Sequence, residues 1–316
     1  MELITKEPRS LKFNGSGGAL FGILIVNFLL TVITLGLYYP WAKSKRLKYL
    51  YAETELDGSR FTFHGTGAEM FKGFIKAILC LVVIYGLLIL MMYLHLAVLG
   101  GLIFLICMVT ILPFVLHGSY RYRMSRTSWR GIRFGYRGDR KTLFNICLKG
   151  LLLTIVTFGI YGSWFVINIR NYMISNVRVG SGKFQYKGDG TDFFVLNLVG
   201  YLLTIVTLGI YGFWWQKNLF EYYVNHLTFE RGEEKIQFKS TATGGDFFSL
   251  LVVNILMIIF TLGLASPWVI MRTLRFVFNH IELQGNVDLT QLAQTEDHYT
   301  DATADDLADF FDFDLV

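Results

Sequence analysis

The 316-residue sequence contains few of the residues on which soluble and disulfide-bonded proteins depend. Only 17% of its residues are charged, four are proline and three are cysteine. An ordinary soluble domain carries about 25% charged residues, whereas this chain is 53% hydrophobic and 16% aromatic. The composition therefore excludes an ordinary soluble domain and indicates a membrane protein.

The sequence also lacks recognisable patterns of catalytic or metal-binding residues. Cys80, Cys107 and Cys147 lie inside apolar runs and form no CxxC pair, so we expect neither disulfides nor structural zinc. The histidines form no metal-spaced cluster, and nucleotide-binding glycine loops and the GxSxG motif are absent. We therefore predict no catalytic residue, no cofactor and no metal site, and the sequence gives no support for an enzyme.

Long apolar runs dominate the chain. About 20 apolar residues suffice to cross a bilayer as a helix. Six runs are candidates, at residues 20–41, 74–94, 96–116, 143–165, 193–215 and 247–269. The sequence thus predicts an α-helical polytopic membrane protein with about six transmembrane spans. Charged residues precede the first run and no small-residue cleavage site follows, so we expect no removable signal peptide.

One motif recurs in four of these regions, where an apolar helix runs into glycine, commonly tyrosine, and then tryptophan. Its glycines are Gly36, Gly159, Gly209 and Gly263, and its tryptophans are Trp41, Trp164, Trp214 and Trp268. Two adjacent intervals between these glycines are near fifty residues and the first is much longer, so we expect a diverged unit in that gap. A period of this length is typical of one duplicated supersecondary unit. Because tryptophan favours the headgroup level of a membrane, we predict that the four tryptophans are interface anchors.

Short alternating segments precede most of the apolar runs. Polar and apolar residues alternate at residues 12–15, 60–65, 132–136, 183–188 and 235–238, which is the period of a half-buried strand. Most follow a turn signal such as Asp57-Gly58, so we predict second strands of β-hairpins. Another hairpin is expected at residues 280–289. Residues 1–290 are therefore predicted to be a membrane domain built from internal repeats of a β-hairpin plus a transmembrane helix.

A second, more polar helix is predicted after each tryptophan. The cations on these helices are Lys43, Lys45, Arg46 and Lys48 on the first, then Arg170, Lys217, and Arg272 with Arg275. Such a helix could lie in the headgroup plane as an amphipathic element. It could instead return the chain through the bilayer and bury its arginine, which is typical of a functional residue. The sequence leaves both interpretations open.

The charges are divided unevenly along the chain. All 29 Lys and Arg residues lie at or before Arg275, and dense acid follows. A basic body in a membrane protein is typical of contact with anionic lipid headgroups and not with nucleic acid. Residues 291–316 lack periodicity and are predicted to be a disordered acidic tail. The tail could simply aid solubility, or it could dock a protein partner.

The segment Phe61-Thr62-Phe63-His64-Gly65-Thr66-Gly67-Ala68-Glu69-Met70-Phe71 and the four Gly-Tyr-Trp copies resemble the YjgN family of bacterial inner-membrane proteins. The resemblance covers residues 11–289, and Leu264-Ala265 departs from it where the other copies have an aliphatic residue and tyrosine. It implies a multi-pass protein of the bacterial inner membrane with uncharacterised activity. It supplies no catalytic or binding residue.

Two functions are consistent with these patterns. Helices interrupted by glycine or proline, as at Gly36 and Pro40, resemble the broken helices with which transporters coordinate substrates. This favours a transporter or channel-like protein, with Arg170, Arg272 and Arg275 as candidate cations that face substrate or lipid. The near absence of acidic residues from the apolar runs argues against a proton-coupled transporter. The alternative is a non-enzymatic membrane scaffold that recruits a partner through its hairpins and acidic tail.

Overall fold

The computed structural model describes residues 9–285, 287, 289 and 292–294. Within these residues the order strand, apolar helix, second helix, strand recurs along the chain. The strands are β1 (Arg9–Phe13), β2 (Thr54–Leu56), β3 (Ser59–Phe63), β4 (Thr127–Trp129), β5 (Ile132–Tyr136), β6 (Val177–Val179), β7 (Gly182–Tyr186), β8 (Leu227–Arg231), β9 (Glu234–Ser240) and β10 (Ile281–Gly285). The helices are α1 (Gly17–Ile33), α2 (Tyr39–Ala52), α3 (Gly67–Tyr93), α4 (Ala97–Ser125), α5 (Arg140–Val156), α6 (Gly162–Ser175), α7 (Gly190–Val206), α8 (Gly212–Asn225), α9 (Gly244–Phe260) and α10 (Ser266–Asn279).

The strands of the described chain form one closed antiparallel barrel. Their order is β1-β10-β9-β8-β7-β6-β5-β4-β3-β2, and β1 pairs with β2 to complete the circle. Closure joins strands from opposite ends of the chain, with Arg9 opposite Leu283 and Ser10 opposite Glu282. A closed sheet has no unpaired edge, so each hairpin satisfies the backbone groups of its neighbours.

The alternation of side chains decides what fills the barrel. On β9, Ile236 and Phe238 are buried, whereas Lys235, Gln237 and Lys239 are exposed. This is the period of two that a strand imposes. The buried residues of several strands meet inside the barrel and form the largest core cluster, which includes Trp129, Val179, Phe229, Ile236, Phe238 and Leu283.

The ten described helices form a ring in which each contacts the next along the chain and α10 contacts α1. The apolar helices α1, α3, α5, α7 and α9 each begin four residues after the last residue of the preceding strand. The equal spacing places these helices in the same relation to the barrel. The helices that contain the four tryptophans in their first turn, α2, α6, α8 and α10, each pack between two apolar helices and lead directly into the next strand. They therefore return the chain to the barrel.

Side-chain caps set the starts of the apolar helices. Glu69 and Asp246 form capping boxes with Thr66 and Thr243 at the starts of α3 and α9. In α7 the cap is Asp189, whose carboxylate accepts hydrogen bonds from the backbone amides of Thr191 at 2.7 Å and Asp192 at 3.0 Å. The carboxylate of Asp189 thus occupies the positive end of the helix.

The predicted fold class, an α-helical polytopic protein with about six spans, is wrong. A closed barrel forms a major part of the molecule, and in the described residues only α3 and α4 are long and apolar enough to cross a membrane. The physical reason lies in the turns. Leu35 and Gly36 have φ angles of 51° and 92°, which end the helix inside the predicted run 20–41. One apolar run therefore contains two helices and not one span.

The hairpin expected at residues 280–289 also differs in the structure. β10 pairs with β9 on one side and with β1 on the other, so the strand that completes this part of the barrel comes from the start of the chain. Val287, Leu289 and Leu292 instead pack into the barrel core. Apart from residues 292–294, the predicted acidic tail lies outside the described residues.

Candidate functional site

The barrel core is incompletely filled. A partly open cavity of about 410 Å³ lies against the inner wall, which is a typical volume for a small-molecule site. The inward-facing side chains of the strands and the barrel-proximal ends of α2, α4 and α10 form its wall. The aromatic wall residues are Phe13, Tyr51, Phe61, Trp129, Phe134, Phe184, Phe229, Phe238 and Phe278.

Two guanidinium groups line this mostly apolar cavity. Arg46 lies on α2 beside Leu47, and Arg123 lies near the end of α4. Among the described residues that line the cavity there is no carboxylate. Arginine keeps its charge at all physiological pH values and binds carboxylates and phosphates through a planar fork of donors. The wall is therefore suited to a ligand with an apolar body and an anionic end.

The segment after β10 forms part of the cavity wall. Leu289 and Leu292 line the cavity, and Val287 is fully buried beside them. The side-chain oxygen of Gln294 accepts a hydrogen bond from the backbone amide of Arg133 at 2.9 Å, which attaches this segment to β5. The C-terminal part of the chain thus contributes directly to the shape of the site.

A smaller crevice of about 250 Å³ between α9 and α10 brings together Arg272 and Arg275. Arg272 donates to the carbonyl oxygen of Ser249 at 3.3 Å, and Arg275 donates to the carbonyl oxygen of Gly15 at 2.9 Å. Asp246 lies in the same crevice, where hydrogen bonds from Thr243 lower the pKa of its carboxyl group and keep it charged. The crevice therefore carries both signs of charge.

Arg170 lies apart from the cavity and from this crevice. Its guanidinium carbon is 4.1 Å from the ring centre of Tyr223 and 5.1 Å from that of Tyr186. Burial raises the pKa of both tyrosines, so their rings stay neutral and can stack with the cation. The structure thus brings two of the three predicted cations together, and a role for any of them with substrate or lipid stays a prediction.

A model of the family described as "Bacterial protein of unknown function (DUF898)" matches residues 8–185, 181–231 and 214–310. The chain belongs to this family. It is 35% identical over 143 residues to inner membrane protein YjgN of Escherichia coli O157:H7, covering 45% of this chain and 32% of that protein. It is 33% identical over 156 residues to inner membrane protein YjgN of Salmonella typhimurium, covering 48% of this chain and 38% of that protein. No solved structure matches the chain.

Family membership confirms the resemblance to YjgN, and the names of the relatives support an inner-membrane location. The matched segments span about a third of the length of the curated relatives, 32% and 38%. Multi-pass topology and internal duplication stay predictions. The family description names no activity that could be transferred to the cavity.

The tryptophans predicted as interface anchors join successive helical hairpins. Each lies against the first glycine of the next apolar helix, in the pairs Trp41 with Gly67, Trp164 with Gly190, Trp214 with Gly244, and Trp268 with Gly17. A Cβ atom on Gly190 would lie 2.2 Å from Cδ1 of Trp164, so a larger residue does not fit. This contact gives the tryptophans a packing role, and their role as membrane anchors stays a prediction.

Glu69 has a structural role beyond its cap. Its carboxylate accepts hydrogen bonds from Arg126 at 3.0 and 3.2 Å and from the hydroxyl of Tyr122 at 3.0 Å. The described residues contain no group of three His, Cys, Asp or Glu side chains that could hold a metal ion.

The sequence alone does not single out the cavity residues. In the sequence, Arg46 is one of several cations on a basic helix, and Arg123 is one of several arginines after an apolar run. One signal was available on α2, because Arg46, Leu47, Leu50 and Tyr51 follow the spacing of a single helix face. The aromatic wall depends on strand pairings between distant parts of the chain, which no local pattern shows.

Proposed function

We propose that this inner-membrane protein binds an anionic amphiphile inside its barrel. The ligand class is a molecule with an apolar chain and one carboxylate or phosphate group. The observation that carries the proposal is the cavity of about 410 Å³, with apolar walls, Arg46 and Arg123. This ligand class makes the predicted transporter function more specific. A barrel that holds such a molecule beside a membrane can carry it to or from the lipid phase.

Two energetic terms favour this ligand class. Burial of apolar surface contributes about 25 cal/mol per Å², which favours any chain that fits the cavity. A carboxylate or phosphate adds charge-assisted hydrogen bonds to arginine, and these are stronger in an apolar environment than in water. An uncharged molecule with the same chain gains only the first term. An anionic amphiphile should therefore bind more tightly than its neutral analogue.

A pair of matched substitutions tests whether the cavity is the site. The probes are cis-parinaric acid and the corresponding alcohol, which share a fluorescent chain and differ in charge. Val179→Trp fills the cavity, whereas Val199→Trp places the same side chain on an exposed position of α7 outside it. We expect at least a tenfold loss of acid binding with Val179→Trp and no loss with Val199→Trp. Equal binding by both variants contradicts the proposal.

A second pair tests the role of charge. We expect Arg46→Gln to remove most of the preference for the acid over the alcohol, about tenfold for one charge-assisted contact. Lys45→Gln changes an exposed neighbour on α2 that does not line the cavity and should leave the preference intact. If the unmodified protein binds acid and alcohol equally, the arginines do not select the ligand.

A membrane scaffold is the second candidate function. A scaffold that recruits a protein partner through the acidic tail depends on residues beyond 294, which the structure does not describe. Deletion of Thr295 to Val316 that leaves the copurifying proteins unchanged would count against that function. Contact of the basic body with anionic headgroups is supported by its charge alone.

A further inference from the structure

Four helical hairpins end in apolar turns that no other described residue covers. The residue before the turn glycine is 93–98% exposed in each, namely Leu35, Phe158, Leu208 and Leu262. Residues 30–39, 152–161, 202–211 and 256–265 contain no charged side chain. Leaving such residues in water forgoes about 1.5–3 kcal/mol per large apolar side chain. The turns therefore suit a hydrocarbon environment better than water.

The backbone N–H groups of these turns are paired without water. After α5, every backbone N–H from Thr157 to Gly162 donates to an oxygen atom within the hairpin. The hydroxyl of Thr157 donates to the carbonyl oxygen of Leu153 at 2.7 Å and accepts from the amide of Tyr161 at 2.9 Å. The equivalent threonines make the same two bonds, namely Thr34, Thr207 and Thr261. Irregular backbone among lipid chains requires paired polar groups, and the paired N–H groups of these turns fit that requirement.

Two exposed lysines mark a common level on the helices. Lys76 is the tenth residue of α3, and Lys149 is the tenth residue of α5. Lysines near the ends of membrane helices extend their charge to the headgroups. From Lys149 to Phe158 the chain covers about nine residues, or about 14 Å of helix. This is about half of a hydrocarbon core of about 30 Å.

The hairpin of α3 and α4 is longer. From Lys76 to Tyr93 the helix continues for about 17 residues, or about 26 Å, which nearly crosses the hydrocarbon core. Its turn contains His95, an exposed polar residue with a φ angle of 58°. A histidine beside Tyr93 fits the headgroup level on the far side, in contrast to the wholly apolar turns of the four short hairpins.

We infer that only the α3–α4 hairpin crosses the bilayer, while the other four hairpins enter one leaflet from the barrel side and end near its middle. The four are α1–α2, α5–α6, α7–α8 and α9–α10. Their partner is the acyl-chain region of that leaflet. The barrel and its lysine- and arginine-rich connections lie on a single side, which the positive-inside rule assigns to the cytoplasm.

Cysteine accessibility tests this arrangement in sealed membrane vesicles of both orientations. Cys80 and Cys107 are replaced by alanine, as is Cys147 if the protein still folds; otherwise Cys147 is retained, because it is buried. Single cysteines are then introduced by Glu233→Cys in the β8–β9 turn, Leu208→Cys and His95→Cys. With a membrane-impermeant maleimide, we expect position 233 to be labelled from one side only and position 95 from the other. Position 208 should be labelled from neither side until the protein is denatured.

Each other labelling pattern overturns part of the inference. Labelling of position 208 from the side of position 95 shows that a short hairpin crosses the bilayer, and labelling from the side of position 233 shows that its turn lies in water. Labelling of positions 95 and 233 from the same side shows that α3–α4 does not cross. A spin label at position 208 gives an independent depth, expected near the bilayer centre by its high accessibility to oxygen and low accessibility to a nickel complex. A depth at either headgroup level contradicts the inference.

Discussion

At the scale of single residues, the packing of one helical hairpin against the next depends on glycines that contact tryptophans. A Cβ on Gly190 would lie 2.2 Å from Cδ1 of Trp164 and 2.9 Å from its Cα, so the backbone itself obstructs a larger residue. We expect Gly190→Ala to lower the free energy of unfolding by about 1–3 kcal/mol. Gly86→Ala is the control, because a Cβ there meets nothing within 4 Å. Unfolding in detergent measures both, and equal effects contradict the packing role.

His64 makes a pH-dependent contribution to the stability of the folded protein. Burial and the nearby charges of Arg133 and Arg126 lower the pKa of His64 below its ordinary value of 6.5. The folded protein thus binds the proton less readily than the unfolded chain. Its stability contribution is present above about pH 6.5 and is lost as the pH falls through the lowered pKa. As the pH falls from 6.5 to the lowered pKa of His64, the Tm of the unmodified protein should fall more steeply than the Tm of His64→Gln. Parallel curves of Tm against pH contradict this prediction.

At the scale of elements, one threonine stabilises each short helical turn. Thr207→Val keeps the shape of the side chain but leaves the amide of Tyr211 without its acceptor. We expect a loss of about 1–3 kcal/mol, the cost of an unpaired buried amide. Thr110→Val on α4 removes only a hydroxyl that donates to Ile106, so it should cost much less. Unfolding in detergent distinguishes the two variants, and equal losses contradict a special role for the turn threonine.

Elements are only partly predictable from local sequence. The alternation of Phe61, Thr62 and Phe63, after the turn at Asp57-Gly58, predicts β3 correctly in kind and place. The run 193–215 favours a single span, but Leu208 and Gly209 take φ angles of 51° and 97° and divide it. Composition cannot show this division, because glycine is tolerated inside many membrane helices. The hydrogen bonds that fix the turn exist only once it has formed.

At the scale of the whole molecule, closure of the barrel depends on one pairing between the two ends of the described chain. Ser10 and Glu282 lie opposite each other on adjacent antiparallel strands, within the range that a disulfide can bridge. Ser10→Cys with Glu282→Cys should therefore form a disulfide and change migration on a non-reducing gel. Ser10→Cys with Lys239→Cys is the control, since β9 is not adjacent to β1. A crosslink in the control alone contradicts the strand order.

The candidate site is a property of the closed molecule, which is why the sequence conceals it. Arg46 and Arg123 belong to different helices, and Phe134 and Phe229 to different strands, yet all four line one cavity. Their proximity follows from the strand pairings that make up the closed barrel and not from any local spacing. Sequence reasoning could identify cations on the helices after the tryptophans. It could not distinguish those at the cavity from Arg170, which stacks on two tyrosines.

The central claim is that the barrel holds an anionic amphiphile, and native mass spectrometry of the protein purified from its membrane tests this most directly. We expect one adduct per chain with the mass of an anionic lipid or a fatty acid. The adduct should be lost in Val179→Trp, which fills the cavity, and retained in Val199→Trp, which does not. An adduct that persists equally in Val179→Trp, or its absence from the unmodified protein, would contradict the account.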